Sequence, residues 1–246
     1  MTIDEETIKM ETEEVDLKSL IDSKYPLLQE FREKCPGSYK HSQYLESMIE
    51  GVSTELGLDV DVMRVVALYH DIGKMFNPSF FTENQAEDNI HDKLDPWVSY
   101  ELITRHVSDS VMLLINDSNF PRQVVEIISQ HQGDSVVKYF FVKSKEEVDG
   151  GYRYKTTKPT TVESAVLMIC DHVEAISRSH VNANKFDAEG VINKTISDLI
   201  DDGQLDEVTM KLGDLTKIKK ALSKELQGMN QKRVDYPERE DEEKIA

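Results

Sequence analysis

A chain of 246 residues with 39% hydrophobic and 31% charged residues can bury a sizeable core, and its length fits one large domain or two small ones. Its formal charge of −18 excludes nonspecific binding to long nucleic acid, which draws affinity from a basic face. No apolar run approaches the roughly 20 residues that span a bilayer, and the opening MTIDEETIKMETEEVD is not a secretory signal.

Two cysteines, Cys35 and Cys170, are too few for a disulfide framework, and Cys170 stands in the apolar stretch 165–170 as a buried thiol. A reducing, cytoplasmic setting is therefore expected. A small phosphorylated substrate is compatible with the acidity if metal cations and a few lysines reverse the potential inside one cleft.

Residues 1–16 carry seven acidic side chains and read as a flexible leader, 17–236 as the working domain, and 237–246, PEREDEEKIA, as an acidic tail. Helical periodicity predicts helices over 27–34, 40–56 ended by Gly57, and 61–74, then 96–116, 121–132 opened by Pro121, and 136–145. The segment 145–159, KEEVDGGYRYKTTKP, reads as a loop or small hairpin. Thr160 and Glu163 have capping-box spacing for a helix to about Ser179, and further helices are expected over 187–201 and 212–232. No alternation long enough for a sheet is present, so the expected fold is an all-α bundle, which by itself accounts for most of the leucine, valine and isoleucine positions.

His70 and Asp71 end the apolar run VMRVVALYHDIGK. Neighbours on a helix point about 100° apart, so both reach one region only in a cleft between helices or where two metals share the carboxylate. His41, His106, His131 and Asp171 fall on four other predicted helices. A histidine on an apolar face is commonly a hydrogen-bonded core residue. An aspartate within AVLMICDHV is harder to place that way, because a buried carboxylate needs a cation, a hydrogen-bond network or a metal. Residue types and spacing leave both a satisfied core and a metal site open.

His41, His70-Asp71 and Asp171 match the H…HD…D pattern of the HD superfamily. The segments CPGSYKHS, YHDIGKMFNPSFFTENQ, HDKLDPWVS, HQGDSVVKYFF and DDGQLDEVTM resemble the cytoplasmic domain of the PgpH-type seven-transmembrane HD phosphodiesterases, over approximately residues 25–237. The resemblance implies an all-α HD-domain helical bundle that hydrolyses cyclic di-AMP to linear pApA with two divalent metal ions, commonly iron or manganese. Carried over residue by residue, it puts His41, His70, Asp71 and Asp171 around one metal and Asp71, His106 and His131 around the other, with Asp71 bridging. Two such cations about 3.5–4 Å apart lower the pKa of a bridging water and neutralise the phosphodiester oxygens, and imidazole with carboxylate suits iron or manganese. Lys74, one turn after His70, is expected to direct its ammonium at a nonbridging phosphate oxygen.

The sequence departs from that family in two places. Where the pattern has a second histidine that also ligates metal, this chain has Gln132, a neutral and less basic donor that acts as a weak ligand or as a hydrogen-bond donor. The outcomes, in order, are an active two-metal enzyme, an enzyme with a labile second metal, and a cyclic-dinucleotide sensor without turnover. An HD hydrolase of another nucleotide, or of cyclic di-GMP, is the nearest enzymatic alternative. The membrane region that usually precedes the domain is also missing, and the acidic leader favours a free-standing chain over an excised domain.

The second His-Asp pair, His91-Asp92, has no glycine-lysine signature after it. The resemblance places it in a loop bordering the cleft, where Asn84, His91 and Lys93 are expected to contact substrate. Tyr139, Phe140 and Phe141 offer an adenine-stacking surface, although aromatics at helical spacing are more often core. His172 and His180 read as structural or solvated.

Overall fold

The computed structural model describes residues 16–85, 89–182 and 187–235, so the leader before Asp16, the tail 237–246 and the His180 side chain lie outside the described residues. Within them the chain is all-α, with ten helices joined by turns and no strand. Asp16, the last residue of the expected leader, caps α1 (Leu17–Ile21) by accepting from the Lys18 amide.

Helix α2 spans Pro26–Lys34 and α3 spans Pro36–Leu56. The start of α3 lies four residues ahead of the expected one: Pro36 takes the first helical position, and Asn84 Oδ1 accepts from the otherwise orphaned amides of Gly37 (2.9 Å) and Ser38 (3.1 Å). At its far end Gly57 adopts the expected left-handed cap, with φ of 72°.

Helix α4 covers Val60–Tyr69 and does not continue to Lys74 as predicted. His70 is its C-cap, and a 3-10 turn, Ile72–Phe76, follows. The break is held from α5 (Pro96–Ile115), where the Ser110 hydroxyl donates to the His70 carbonyl and accepts from the Gly73 amide, both at 2.9 Å. One side chain thus satisfies the backbone on both sides of the break.

Helix α6 (Arg122–Ser129) is shorter than predicted, with Pro121 just ahead of it and Gln130 as its C-cap, so His131 stands on the following turn. Helix α7 is Lys138–Ser144. The segment 145–159 is a loop with one 3-10 turn, Asp149–Tyr152, and a single antiparallel bridge between Val136 and Arg153. Helix α8 (Val162–Asn182) is capped one residue later than expected, because Thr161 and Ser164 exchange side-chain to backbone hydrogen bonds at 3.2 Å while Thr160 bonds Gln130. Asp187 caps α9 (Ala188–Asp201), and α10 covers Leu212–Asp235.

The core explains why these helices converge. Ala165 through Cys170 are completely buried, so this stretch of α8 is enclosed on all sides and runs through the middle of the bundle. Leu45, Met48, Ile49 and Val52 of α3, Met63, Val66 and Ala67 of α4, and Ile218 and Leu222 of α10 belong to the same cluster. Polar side chains at the inward edge of α3, α5 and α8 are consequently directed at one point, where α4 ends.

Candidate metal centre

Six side chains meet there. His41 from α3, His70 and Asp71 from the end of α4, His106 from α5, His131 after α6 and Asp171 from α8 are all buried. Asp71 is central: its Oδ2 lies 3.2 Å from His70 Nε2 and 3.9 Å from His41 Nε2, and its Oδ1 lies 3.4 Å from His106 Nε2 and 4.0 Å from His131 Nε2. Asp171 Oδ1 faces the first pair, 3.0 Å from His41 Nε2 and 3.8 Å from His70 Nε2. Two groups of potential metal donors result, His41-His70-Asp71 and Asp71-His106-His131, with one carboxylate in common.

The far nitrogen of each imidazole fixes its tautomer. Nδ1 of His70, His106 and His131 lies 2.9, 2.7 and 2.7 Å from the carbonyls of Ala67, Ile103 and Ile128, and a carbonyl only accepts, so each Nδ1 carries the proton. In the neutral rings every Nε2 is then a lone pair aimed inward. His106 Nε2 and His131 Nε2 face each other at 3.2 Å, and His70 Nε2 is buried with no hydrogen-bond partner. Burial, reinforced by His70 and His106, pushes His131 down to about 3, and burial also lowers His106, so these rings stay neutral. Opposed, buried lone pairs beside a carboxylate are unfavourable alone and suited to a cation, so the donor set fits divalent metal.

His41 differs from the other three. Its Nδ1 donates at 2.6 Å to Glu174, one turn after Asp171 on α8. Burial opposes its charging, but the hydrogen bonds to Asp171 and Glu174 outweigh that and raise it to about 10. Burial likewise opposes ionisation of Asp71 and Asp171, yet the Lys74 ammonium beside the first and the His41 hydrogen bond to the second hold both well below the usual carboxylate range.

The cleft over this centre is lined by Lys74, Phe81, Glu83, Ile103, Gln132, Tyr154, Ala175 and Arg178 together with His41, Asp71, His106 and Asp171. Lys74 Nζ is 2.7 Å from both Asp71 Oδ2 and Glu83 Oε1. Burial opposes its charge, but the two carboxylates overcome this and raise its pKa, and Lys74 in turn lowers Glu83 to about 2. The result is a fixed ammonium beside the shared carboxylate.

A sequence pattern for the HD domain matches residues 38–176, more than half of the chain. The chain belongs to the HD-domain family. Among proteins of known function, this HD domain is 37% identical over 227 residues to the cyclic-di-AMP phosphodiesterase PgpH of Bacillus subtilis (strain 168), covering 90% of this chain and 32% of that protein. It is 34% identical over 230 residues to PgpH of Listeria monocytogenes serotype 1/2a (strain 10403S), with 92% and 32% covered. The chain thus spans about a third of the length of these curated relatives. The crystal structure of the L. monocytogenes PgpH HD domain superposes with a TM-score of 0.78 at 34% identity, covering 83% of this chain and 99% of that one. The same domain crystallised with cyclic di-AMP also gives a TM-score of 0.78, at 33% identity and with 85% and 99% covered.

Within this HD domain the remaining expected site residues separate clearly. Gln132 borders the cleft, and its amide donates to Asp171 Oδ2 at 3.2 Å. Asn84, His91, Lys93 and Tyr139, expected as substrate contacts, do not line the cleft. Asn84 differs from expectation because its amide closes the N-terminus of α3 and donates to Ser38 Oγ. His91 is buried beneath the loop, with Nε2 at 2.6 Å from the Phe80 carbonyl, while Lys93 is exposed in the turn Ile90–Lys93. Tyr139 is exposed and donates to Asp92, whereas Phe140 is buried in a satellite cluster with Tyr100 and Tyr152, the core role anticipated for such aromatics. His172 bonds the Met168 carbonyl of its own helix.

Sequence reasoning missed Glu174, Ser110, Glu83, Tyr154 and Arg178. Glu174 and Arg178 left a signal, since residues three and seven positions after Asp171 share its helix face. The others reach the site from separate turns or by tertiary contact.

Proposed function

We propose that this HD domain hydrolyses cyclic di-AMP to linear pApA, using two divalent metal ions, iron or manganese. His41, His70, Asp71 and Asp171 would hold one ion and Asp71, His106 and His131 the other. The observation that carries this reading is the pair of donor groups sharing Asp71, with every imidazole Nδ1 committed and every Nε2 turned inward. The substrate assignment is supported by the PgpH phosphodiesterases and by the PgpH HD domain crystallised with cyclic di-AMP.

Bound metal supplies charge neutralisation at the phosphodiester and an activated water. The protein's own part is positioning. Lys74, steadied by Glu83, presents an ammonium to a nonbridging oxygen of the scissile phosphate. Carbonyl and Glu174 contacts orient the imidazoles and keep their tautomers fixed. Water adds to phosphorus, the bond to the ribose 3′ oxygen breaks, and that oxygen takes a proton, leaving a 5′ phosphate on the linear product.

Gln132 favours one second reading. A neutral amide turned to Asp171 gives the His106-His131 side no added donor, which suits a weakly held second metal and, at the limit, a cyclic-dinucleotide sensor. Two buried free cysteines support a reducing, cytoplasmic setting, and the net charge of −18 argues against long nucleic acid as a partner. Incubating metal-reconstituted protein with cyclic di-AMP and with cyclic di-GMP tests the assignment. Linear product from cyclic di-AMP is expected, binding without product supports the sensor, and neither binding nor product overturns the reading.

A further inference from the structure

We infer that Arg178 anchors the second, non-scissile phosphate of the cyclic dinucleotide and so makes the site selective for a ligand carrying two phosphodiesters. This rests on the hydrolase reading above. A cyclic dinucleotide holds its two phosphates on opposite sides of one ring, so while one lies at the metal donors the other needs a separate cation. In a chain of net charge −18 such a cation is not provided by the general surface.

Apart from the histidines, two cationic side chains border the cleft, Lys74 and Arg178. Lys74 is held 2.7 Å from Asp71 and 2.7 Å from Glu83, at the floor beside the metal donors, which assigns it to the phosphate that reacts there. Arg178 is placed differently. It stands seven residues after Asp171 on α8, two turns along nearly the same face and about 10.5 Å farther by helical rise. Helical side chains lean toward the N-terminus, so its guanidinium inclines back over Glu174 toward the cleft.

Its ion pair with Glu174 is loose, Nε to Oε2 at 3.7 Å, and a third of the side chain is exposed. That contact engages the side chain through Nε, on the edge away from the terminal amino groups, whose planar fork suits bidentate binding of a phosphate. Because Glu174 is also bonded to His41, Arg178 could act on metal binding instead, and the test must separate the two routes.

The experiment compares metal-loaded wild type, Arg178→Gln and Arg178→Lys for turnover of cyclic di-AMP, for binding of its phosphorothioate analogue and of AMP, and for metal content. The expected result is a rise in KM for cyclic di-AMP of about tenfold in Arg178→Gln, with a far smaller change in kcat. The ratio of analogue affinity to AMP affinity falls to a similar degree, metal content matches wild type, and Arg178→Lys recovers part of the loss. Equal losses for analogue and AMP, a fall in metal content, or no change in KM would each overturn the inference. A wild type that leaves cyclic di-AMP intact would sink the hydrolase reading itself, a result distinct from any difference between the variants.

Discussion

Glu174 accepts a 2.6 Å hydrogen bond from His41 Nδ1, joining a carboxylate on α8 to a candidate metal-donor histidine on α3 across 133 residues of sequence. Among the four imidazoles it is the one side-chain partner at Nδ1, the other three Nδ1 atoms facing carbonyls of their own chain segment. A carboxylate behind an imidazole fixes the tautomer and increases the basicity of the facing nitrogen. The His41 side is therefore expected to hold metal more tightly than the His106-His131 side.

Glu174→Gln removes that charge while keeping the shape. Partners of this kind are typically worth 10–100-fold in metal affinity or activity, and a loss within that range is expected. Elemental analysis after dialysis against a weak chelator, beside turnover of cyclic di-AMP, checks it. Wild-type retention of metal would refute the role given to Glu174.

Gln132→His places an imidazole where an amide now donates to Asp171. The expected outcome is more metal retained per chain, with higher turnover at limiting metal. The measurement is metal stoichiometry and rate across a manganese titration. If neither rises, the second donor group is not weakened by the glutamine.

The candidate donors were legible in sequence because ionisable residues within apolar helices stand out against their surroundings. His41, His70, Asp71, His106, His131 and Asp171 lie together in the fold, an arrangement that could hold metal. The break after Tyr69 was not legible, since VMRVVALYHDIGK keeps helical periodicity and the interruption is imposed by Ser110, 40 residues away. The capping role of Asn84 was hidden for a related reason. Its sequence neighbourhood places it near the cleft, but only the fold reveals that its oxygen is occupied by the α3 amides.

Asn84→Ala separates those two roles. Loss of a cap costs on the order of 1 kcal/mol, and burying the freed amides of Gly37 and Ser38 adds to it. A lower thermal midpoint is expected, with KM for cyclic di-AMP changed little compared with Lys74→Ala. A selective rise in KM with unaltered stability would restore Asn84 to the substrate contacts.

The metal-free protein is expected to weaken in mild acid. His131 is held down to about 3 in the folded state, by burial first and then by His70 and His106, against roughly 6.5 when unfolded. The unfolded chain therefore binds more protons below 6.5, so this contribution is present above that pH and lost as pH falls toward 3. His106 is lowered in the same direction. His41, raised to about 10, has the opposite sign: its contribution is present below 6.5 and lost as pH rises through 10. Urea midpoints in chelator should fall as pH drops from 7 to 4, and a flat profile over that range would contradict neutral buried imidazoles.

Gly73 of the HDIGK segment gives the most direct test of how the centre is assembled. A Cβ there would lie 2.2 Å from the His106 carbonyl oxygen and 2.4 Å from the Ser110 amide nitrogen, both backbone atoms of α5 that have no rotamer to escape into. The close approach is what lets the Ser110 hydroxyl reach the Gly73 amide and the His70 carbonyl together. Gly73→Ala must therefore push α5 outward, taking His106 away from Asp71, where Nε2 and Oδ1 are now 3.4 Å apart. Overpacking of this kind costs about 1–3 kcal/mol and occasionally more, and rigid backbone on both sides argues for the upper end. Thermal unfolding in chelator reads the stability loss, and metal stoichiometry reads the displaced histidine. A variant as stable as wild type that keeps its full metal content would show that α5 tolerates the shift and that the glycine serves some other purpose.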